Sequence, residues 1–371
     1  RGRAIAPVAF LKMVRAFWCW GLAAGVCAAF RPPAIPLITT DPYLQSFIMG
    51  DNSTDGIVKH WDQRSKELVG LVRVDGETYR FLGDCGRDAT PTEPGPAKYH
   101  QDTDVSPGKC DLGALAASNV TCNEMCYGAP SCQAFVLRGG TCWLKSCTEP
   151  FVSSPGATGA VITGPHPPPP PSTCDFPVFE QISVQVLPTR TVFQLRDPRG
   201  RVELNVTLLS TLFTDDYPRL SRPVSYIIHD VRSVSGDKHH VELYLDVTAQ
   251  WVVNSQSEQV DWQWIDDARS AARLGTHEQN VLGTKGDATN INWGYLHLRA
   301  REVEVHDISP WAGSSNVSRS SFASTGDLKL DDDVRKPRAC SDDLPALAVR
   351  AALRPVGVAP VRHTLLFGYD D

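Results

Sequence analysis

The sequence predicts a mainly β protein: an antiparallel β-sandwich host domain with an inserted, small, disulfide-rich α+β module. Three observations predict it. Past Cys174, apolar residues recur with a period of two over several short stretches, as strands with one buried face require. Six of the eleven cysteines crowd between Cys110 and Cys147. Spacers bracket that segment, "GRDATPTEPGP" before it and an unbroken run from Pro167 to Pro171 after it, and such stretches are linkers rather than core.

Residues 1–30 read as a signal-peptide region. "MVRAFWCWGLAAGVCAAF" begins at Met13, places Arg15 before an apolar run from Ala16 to Phe30, and ends in small residues. The run is shorter than the ~20 residues a spanning helix needs, so no membrane span is expected after cleavage. A buried N-terminal helix is the competing reading. Sequons at Asn52, Asn119, Asn205 and Asn316 agree with a secreted or cell-surface chain that passes through an oxidising route. The net charge of −6 argues against a nucleic-acid partner, which would call for a basic stripe.

The cysteine segment has to be a metal site, a redox centre or a stapled module. Cys110, Cys122, Cys126, Cys132, Cys142 and Cys147 are separated by eleven, three, five, nine and four residues, with no His among them. Paired C-x2-C knuckles or Cys/His sets for zinc are missing, and so is the C-x-x-C of a thiol oxidoreductase. In a secreted chain these six read as three disulfides, which stabilise a segment too small to bury a core of its own. Cys85 and Cys174 flank the spacers and can pair across the base of the insert, leaving Cys340 odd. The host is then split into residues 31–84 and 175–371, with 85–174 between them.

Inside the insert, "TCNEMC" reads as a helical turn carrying Cys122 and Cys126 on one face. "CQAFVLRGGTCWLK" reads as two strands joined at Gly139-Gly140, and "GATGAVITG" as a closing strand. In the host, Val202, Leu204, Val206 and Leu208 alternate with Glu203, Asn205 and Thr207, and Val241, Leu243, Leu245 and Val247 alternate with Glu242, Tyr244, Asp246 and Thr248. "SYIIHDVRSV" leads through "SGDK" into the second of these runs as a long hairpin would. Further strands are expected at "ISVQV", "TVFQL", "YLHLRAREVEV", "PALAVRAAL" and "RHTLLFGY", and a short helix at "DDARSAARLGTHEQ". Many strands with one apolar face each imply a sandwich of antiparallel sheets.

No self-contained catalytic, phosphate-binding or cofactor motif is present, so no catalytic, cofactor or metal residue is assigned and no cofactor is expected. "HEQN" at His277–Asn280 lacks the second His of a zincin helix. Carboxylate doublets at Asp215-Asp216, Asp266-Asp267, Asp331–Asp333, Asp342-Asp343 and Asp370-Asp371 read as solvated turns. Trp61, Trp262, Trp264, Trp293 and Tyr295 lie in polar or Gly-rich contexts, where a sugar or a partner domain could stack on them. His239-His240, beside the "SGDK" turn, is expected to be exposed.

Two resemblances follow. The helix cysteine pair, "CQAF" and "CWLK" resemble the apple/PAN module over residues 98–164. That resemblance implies the pairing Cys110–Cys147, Cys122–Cys142 and Cys126–Cys132, and a glycan or protein ligand. "RPPAIPLITTDPYLQSF", "HWDQRSKELVGLVRVDGETYRFLG", "LPTRTVFQL", "LSRPVSYIIHDVRS", "ELYLDVTAQWVVN", "GTHEQNVLGTKGD" and "INWGYLHL", in that order, resemble the N-terminal region of the fungal and bacterial glutaminase A family. This resemblance implies an amidohydrolase acting on L-glutamine. It further implies that catalysis belongs to an α-helical toroid, the partner domain, which follows a segment like "LLFGYDD". This chain is then expected to be the non-catalytic sandwich part. The alternatives are a secreted glycan- or protein-binding chain, and part of a glycosidase-like enzyme.

Overall fold

The computed structural model describes residues 32–85, 97–105, 110–116, 122–123, 126, 132–163, 174–265, 271–283, 290–300, 305–328, 330–331 and 333–370. The signal-peptide region, Asn119, the Pro167–Pro171 run and Asp266-Asp267 lie outside them. β1 (Ile35–Ile38) pairs with β2 (Ser46–Ile48). β3 (Leu68–Val74) turns into β4 (Glu77–Leu82) through Asp75 and Gly76, both at positive φ, as a tight two-residue hairpin requires. The insert supplies β5 (Ala97–Val105), β6 (Asp111–Ala116), β7 (Ala134–Arg138), β8 (Thr141–Lys145) and β9 (Phe151–Ile162). β10 (Glu180–Leu187), β11 (Arg190–Arg196), β12 (Val202–Ser210), α1 (Tyr217–Leu220), β13 (Val224–Ser233) and β14 (Val241–Thr248) follow. The chain continues through β15 (Gln259–Trp264), β16 (Ala271–Thr276), β17 (Tyr295–Ala300), β18 (Val305–Ser314) and α2 (Ser315–Thr325). It ends with β19 (Arg338–Ala339), β20 (Pro345–Leu353) and β21 (Val361–Asp370).

These strands build an antiparallel sandwich. A nine-stranded sheet, β10-β11-β12-β13-β21-β17-β16-β15-β19, faces a five-stranded sheet, β18-β20-β14-β3-β4. Their inner faces share one apolar core: Val202, Leu204, Val206 and Leu208 of β12 are fully buried against residues such as Val72, Phe81, Leu243 and Leu245. Gly70 has a packing reason, because a Cβ there would sit 2.5 Å from the Phe81 ring.

The outer face of the five-stranded sheet is covered as well. α2, N-capped by Ser314 and ended by Gly326 in the left-handed conformation, lays Phe322 over Val69, Leu71, Tyr244 and Ala348. So β14 is buried on both faces. The alternation read along it puts Tyr244, Asp246 and Thr248 on the second face, and all three are inaccessible to solvent.

Arg319 of α2 makes that face possible. Its Nε and Nη2 donate to Asp246 at 2.7 and 2.8 Å, and Nη2 donates also to Glu67 at 2.9 Å. Tyr244 Oη donates to Asp246 at 2.6 Å and lies 2.8 Å from Ser318 Oγ. Burial works against the guanidinium charge, but Asp246 and then Glu67 more than offset it and hold the group above its usual range.

Three expectations are corrected. The "SGDK" turn does not close a hairpin: β13 pairs with β12 and β21, whereas β14 pairs with β20 and β3, so the turn carries the chain between sheets. A period of two says which side chains face the core, not which strand lies alongside. The expected helix at "DDARSAARLGTHEQ" holds β16 instead, paired on both sides by β15 and β17. Sheet pairing overrides the helix propensity of its alanines. His239 is buried, its Nδ1 lying 2.7 Å from Asp75 Oδ2, while His240 is exposed.

The insert folds as a separate five-stranded antiparallel sheet, β5-β9-β7-β8-β6, with Cys122, Asn123 and Cys126 helical beside it. Disulfides join Cys110 to Cys147, Cys122 to Cys142 and Cys126 to Cys132, at Cα separations of 6.0, 5.7 and 5.2 Å. Its apolar clusters, centred on Phe135 and on Val136, share no residue with the host core. Cys85 and Cys174 are joined at its base with their Cα atoms 5.2 Å apart, and both belong to the host cluster under α2.

Excising residues 86–173 and bridging Cys85 to Cys174 with a short Gly/Ser linker is expected to leave a soluble sandwich with a cooperative urea transition. An insoluble or molten product would mean that insert and host share a core. Arg319→Met should cost about 3–5 kcal/mol in the same assay, because it strands two buried carboxylates. A loss under about 1 kcal/mol would show that water reaches the cluster.

Candidate functional site

The polar stretches singled out in the sequence meet in one seam at the end of the sandwich. "HWDQRSKE" precedes β3, "AQWVVN" follows β14, "THEQN" follows β16, and "NINWG" precedes β17, so four loops leave strands at the same end. Asn254 joins three of their segments. Its Oδ1 accepts from Arg64 Nη1 at 2.8 Å and from the Asn290 backbone at 3.0 Å, and its carbonyl accepts from Arg64 at 2.9 Å. Asn290 Nδ2 donates to Asp62 Oδ2 at 2.9 Å.

Glu258 ties in the next loop, accepting from the backbones of Asn254 and Ser255 at 2.6 and 2.9 Å and from Asn292 Nδ2 at 2.6 Å. Thr276 Oγ1 donates to the Asn292 carbonyl at 2.6 Å, and Gln279 bridges the Thr276 carbonyl and the Gly294 backbone N–H. Lys66 Nζ donates to the Gln250 carbonyl at 2.7 Å, while Gln250 Oε1 accepts from the Glu67 backbone at 3.0 Å. Through Glu67 the seam continues to Arg319.

Burial sets its electrostatics. It pulls the Lys66 ammonium down to about 7, against the pull of Asp62 and Glu258 in the other direction. It pushes the odd Cys340 thiol up to about 12, which leaves that cysteine inert as a nucleophile. Burial also works to raise the Asp62 carboxyl, but the His60 ring, 3.0 Å away, and the Arg64 backbone hold it at about 2. Asp62 and Glu258 each accept from several donors, so neither is an idle general base. The arrangement holds loops in place, and its charges are consumed in doing so. Among the described residues no group of three or more His, Cys, Asp or Glu side chains is placed to hold a metal ion.

The seam has an exposed rim. Trp61 projects between His60 and Asp62, and Val281 and Leu282 project from the loop after Gln279, with Leu282 at a positive φ of 54°. The other aromatics are committed to packing. Trp262 is buried with the Arg338 guanidinium 4.9 Å from its ring centroid, Arg273 stacks 4.2 Å from Tyr295, and Trp264 and Trp293 pack on the core. The described doublets serve turns and ion pairs: Asp216 caps α1, Asp333 and Asp343 bind Arg335, and Asp370 binds His297.

Of the sequons, Asn52 is exposed in a turn and Asn205 is partly buried on the outward face of β12. Asn316 lies in the first turn of α2, where its Ser318 is buried on Tyr244. Sequence reasoning did not single out α2, Arg319 or Lys66. The Ser-rich helix has no strong helix formers besides its arginine and its alanine, and a buried lysine carries no signal of its burial.

Two family models match the chain, each described as a domain of unknown function: DUF4964 over residues 22–89 and DUF5127 over residues 189–371. The chain is 27% identical over 172 residues to glutaminase A of Aspergillus oryzae, an alignment covering 46% of this chain and 24% of that protein. The chain thus matches about a quarter of that relative's length. Among solved structures, a bacterial glucoamylase complexed with acarbose aligns with a TM-score of 0.35 at 8% identity, over 91% of this chain and 32% of that one. Heparan sulfate lyase HepC from Pedobacter heparinus aligns with a TM-score of 0.27 at 8% identity, over 53% and 22%.

Proposed function

We propose that this chain is the β-sandwich part of a secreted glutaminase A-like amidohydrolase, and that it braces a helical catalytic domain that hydrolyses L-glutamine to L-glutamate and ammonia. One observation carries the reading: stretches that resemble glutaminase A, scattered from His60 to Gly294, are joined by hydrogen bonds in a single seam. Chance likenesses would have no reason to be bonded to one another. The partial identity to the Aspergillus oryzae enzyme supports the same family. Trp61, Val281 and Leu282, exposed on the rim, suit the docking of the helical domain. The disulfides suit secretion. The insert, as an apple/PAN-like module, would supply a glycan- or protein-binding surface.

Purified chain, given L-glutamine, should release no more ammonia than a buffer blank, because the carboxylates of the seam are already engaged. Placed in Aspergillus oryzae glutaminase A instead of the matching region, it should support glutaminase activity. A secreted, folded chimera with no such activity would overturn the reading. Turnover by the chain alone, lost on a point change within residues 31–371, would move the active site into it.

A further inference from the structure

His229 and His363 sit opposite each other on β13 and β21, near the middle of the nine-stranded sheet. Both are buried to within 2% of full enclosure. Their rings stack with centroids 5.7 Å apart and planes inclined by 15°, and among the described residues none of their four nitrogens has a hydrogen-bond partner. Buried polar atoms are paired in the great majority of cases, so two adjacent orphan rings call for an explanation.

Apolar side chains meet His229 from two neighbouring strands. On β12 the residue paired with His229 is Val206, and from the facing sheet the Phe81 ring meets His229 edge-on at 5.4 Å. The charged neighbours in sequence point elsewhere: Asp230 and Arg362 bind each other at 2.7 and 2.9 Å on the opposite face, and Arg80, beside Phe81, donates to the carbonyls of Thr54 and Gly83. Among the described residues, the one titratable group that acts on His229 is His363 itself.

We propose that this pair is an acid-sensitive lock, whose neutral rings close the two sheets on each other and whose protonation opens them. A proton on either ring creates a cation with no acceptor in reach and no carboxylate to pair with among the described residues. A second proton adds repulsion across the stack. The direction follows from burial, which lowers both rings below the usual histidine range, His363 to about 4. Between there and about 6.5 the unfolded chain binds more protons than the folded one. The stabilisation is therefore present above about pH 6.5 and is lost as the pH falls towards 4.

Urea midpoints of the full chain at about pH 7.5 and about pH 5 test the lock, comparing the native protein with His229→Leu/His363→Leu. The native midpoint should fall on acidification, and the double variant should lose at least half of that fall. An equal fall in both would overturn the proposal. Should the variant not fold, ring nitrogen spectra of the ¹⁵N-histidine-labelled native chain decide. Two of its ten histidines should stay neutral at about pH 5, and all ten titrating together near 6.5 would overturn the proposal.

Discussion

A carboxylate in the middle strand of a buried sheet needs a partner that arrives from another layer. Asp246 lies on β14 with no solvent access, and Glu67 stands just before β3, equally enclosed. Arg319 meets both, and it can do so because α2 lies across the outer face of the five-stranded sheet. The ion cluster and the helix layer therefore require each other. Without Arg319 the two carboxylates would be charged in an apolar layer, and without them a guanidinium would be buried unpaired. Replacing all three with apolar groups could be tolerated energetically, but it would not specify how α2 sits. A bidentate pair fixes both position and angle, which greasy packing does only loosely.

The same cluster is the inner end of the polar seam. Glu67 gives its carboxylate to Arg319, its backbone N–H to Gln250, and its carbonyl to the Trp251 indole. From Gln250 and Asn254 the bonds pass to the loops before β3 and β17. Loops at a sandwich end ordinarily vary in course because little holds them. Here side-chain amides of Gln250, Asn254 and Gln279 take up backbone groups that strands would otherwise satisfy, while those of Asn290 and Asn292 donate to Asp62 and Glu258. The result is a shaped end face built from loops but restrained like a sheet. Under the proposed function, a partner domain docking there would meet a surface whose ordering cost is already met by the fold.

How much of this was legible follows from what kind of signal each feature leaves. The strand at "PALAVRAAL" coincides with β20, because apolar burial repeats along one strand and needs no knowledge of the rest. The inward set on β12 was legible for the same reason. Partnerships were not, since the period-two pattern of β13 and β14 is equally good for a hairpin and for a crossing between sheets. The second buried face of β14 was hidden because Asp246 and Thr248 look like solvent-facing residues until α2 is placed over them. The seam was visible only in pieces. Its stretches carried the family resemblance, yet nothing local says that Asn254 and Asn290 touch.

The insert shows why a fold with so much long-range pairing tolerates an addition of this size. It enters after β4, an edge strand, and leaves before β10, another edge strand, so no ladder is interrupted. Cys85 and Cys174 bring the two ends together across a sequence separation of 89. Closing so long a loop in the unfolded chain corresponds to about 4–5 kcal/mol in the chain-entropy model, the cost that an insertion would otherwise impose on folding. Three internal disulfides let the insert reach its own structure without drawing on the host core. The joint lies under α2, beside Val69, Leu71 and Phe322, while the seam occupies the loops at Asp62, Asn254 and Asn290. Addition and seam are thus carried by different loops of one sandwich, and either can change without rebuilding the other.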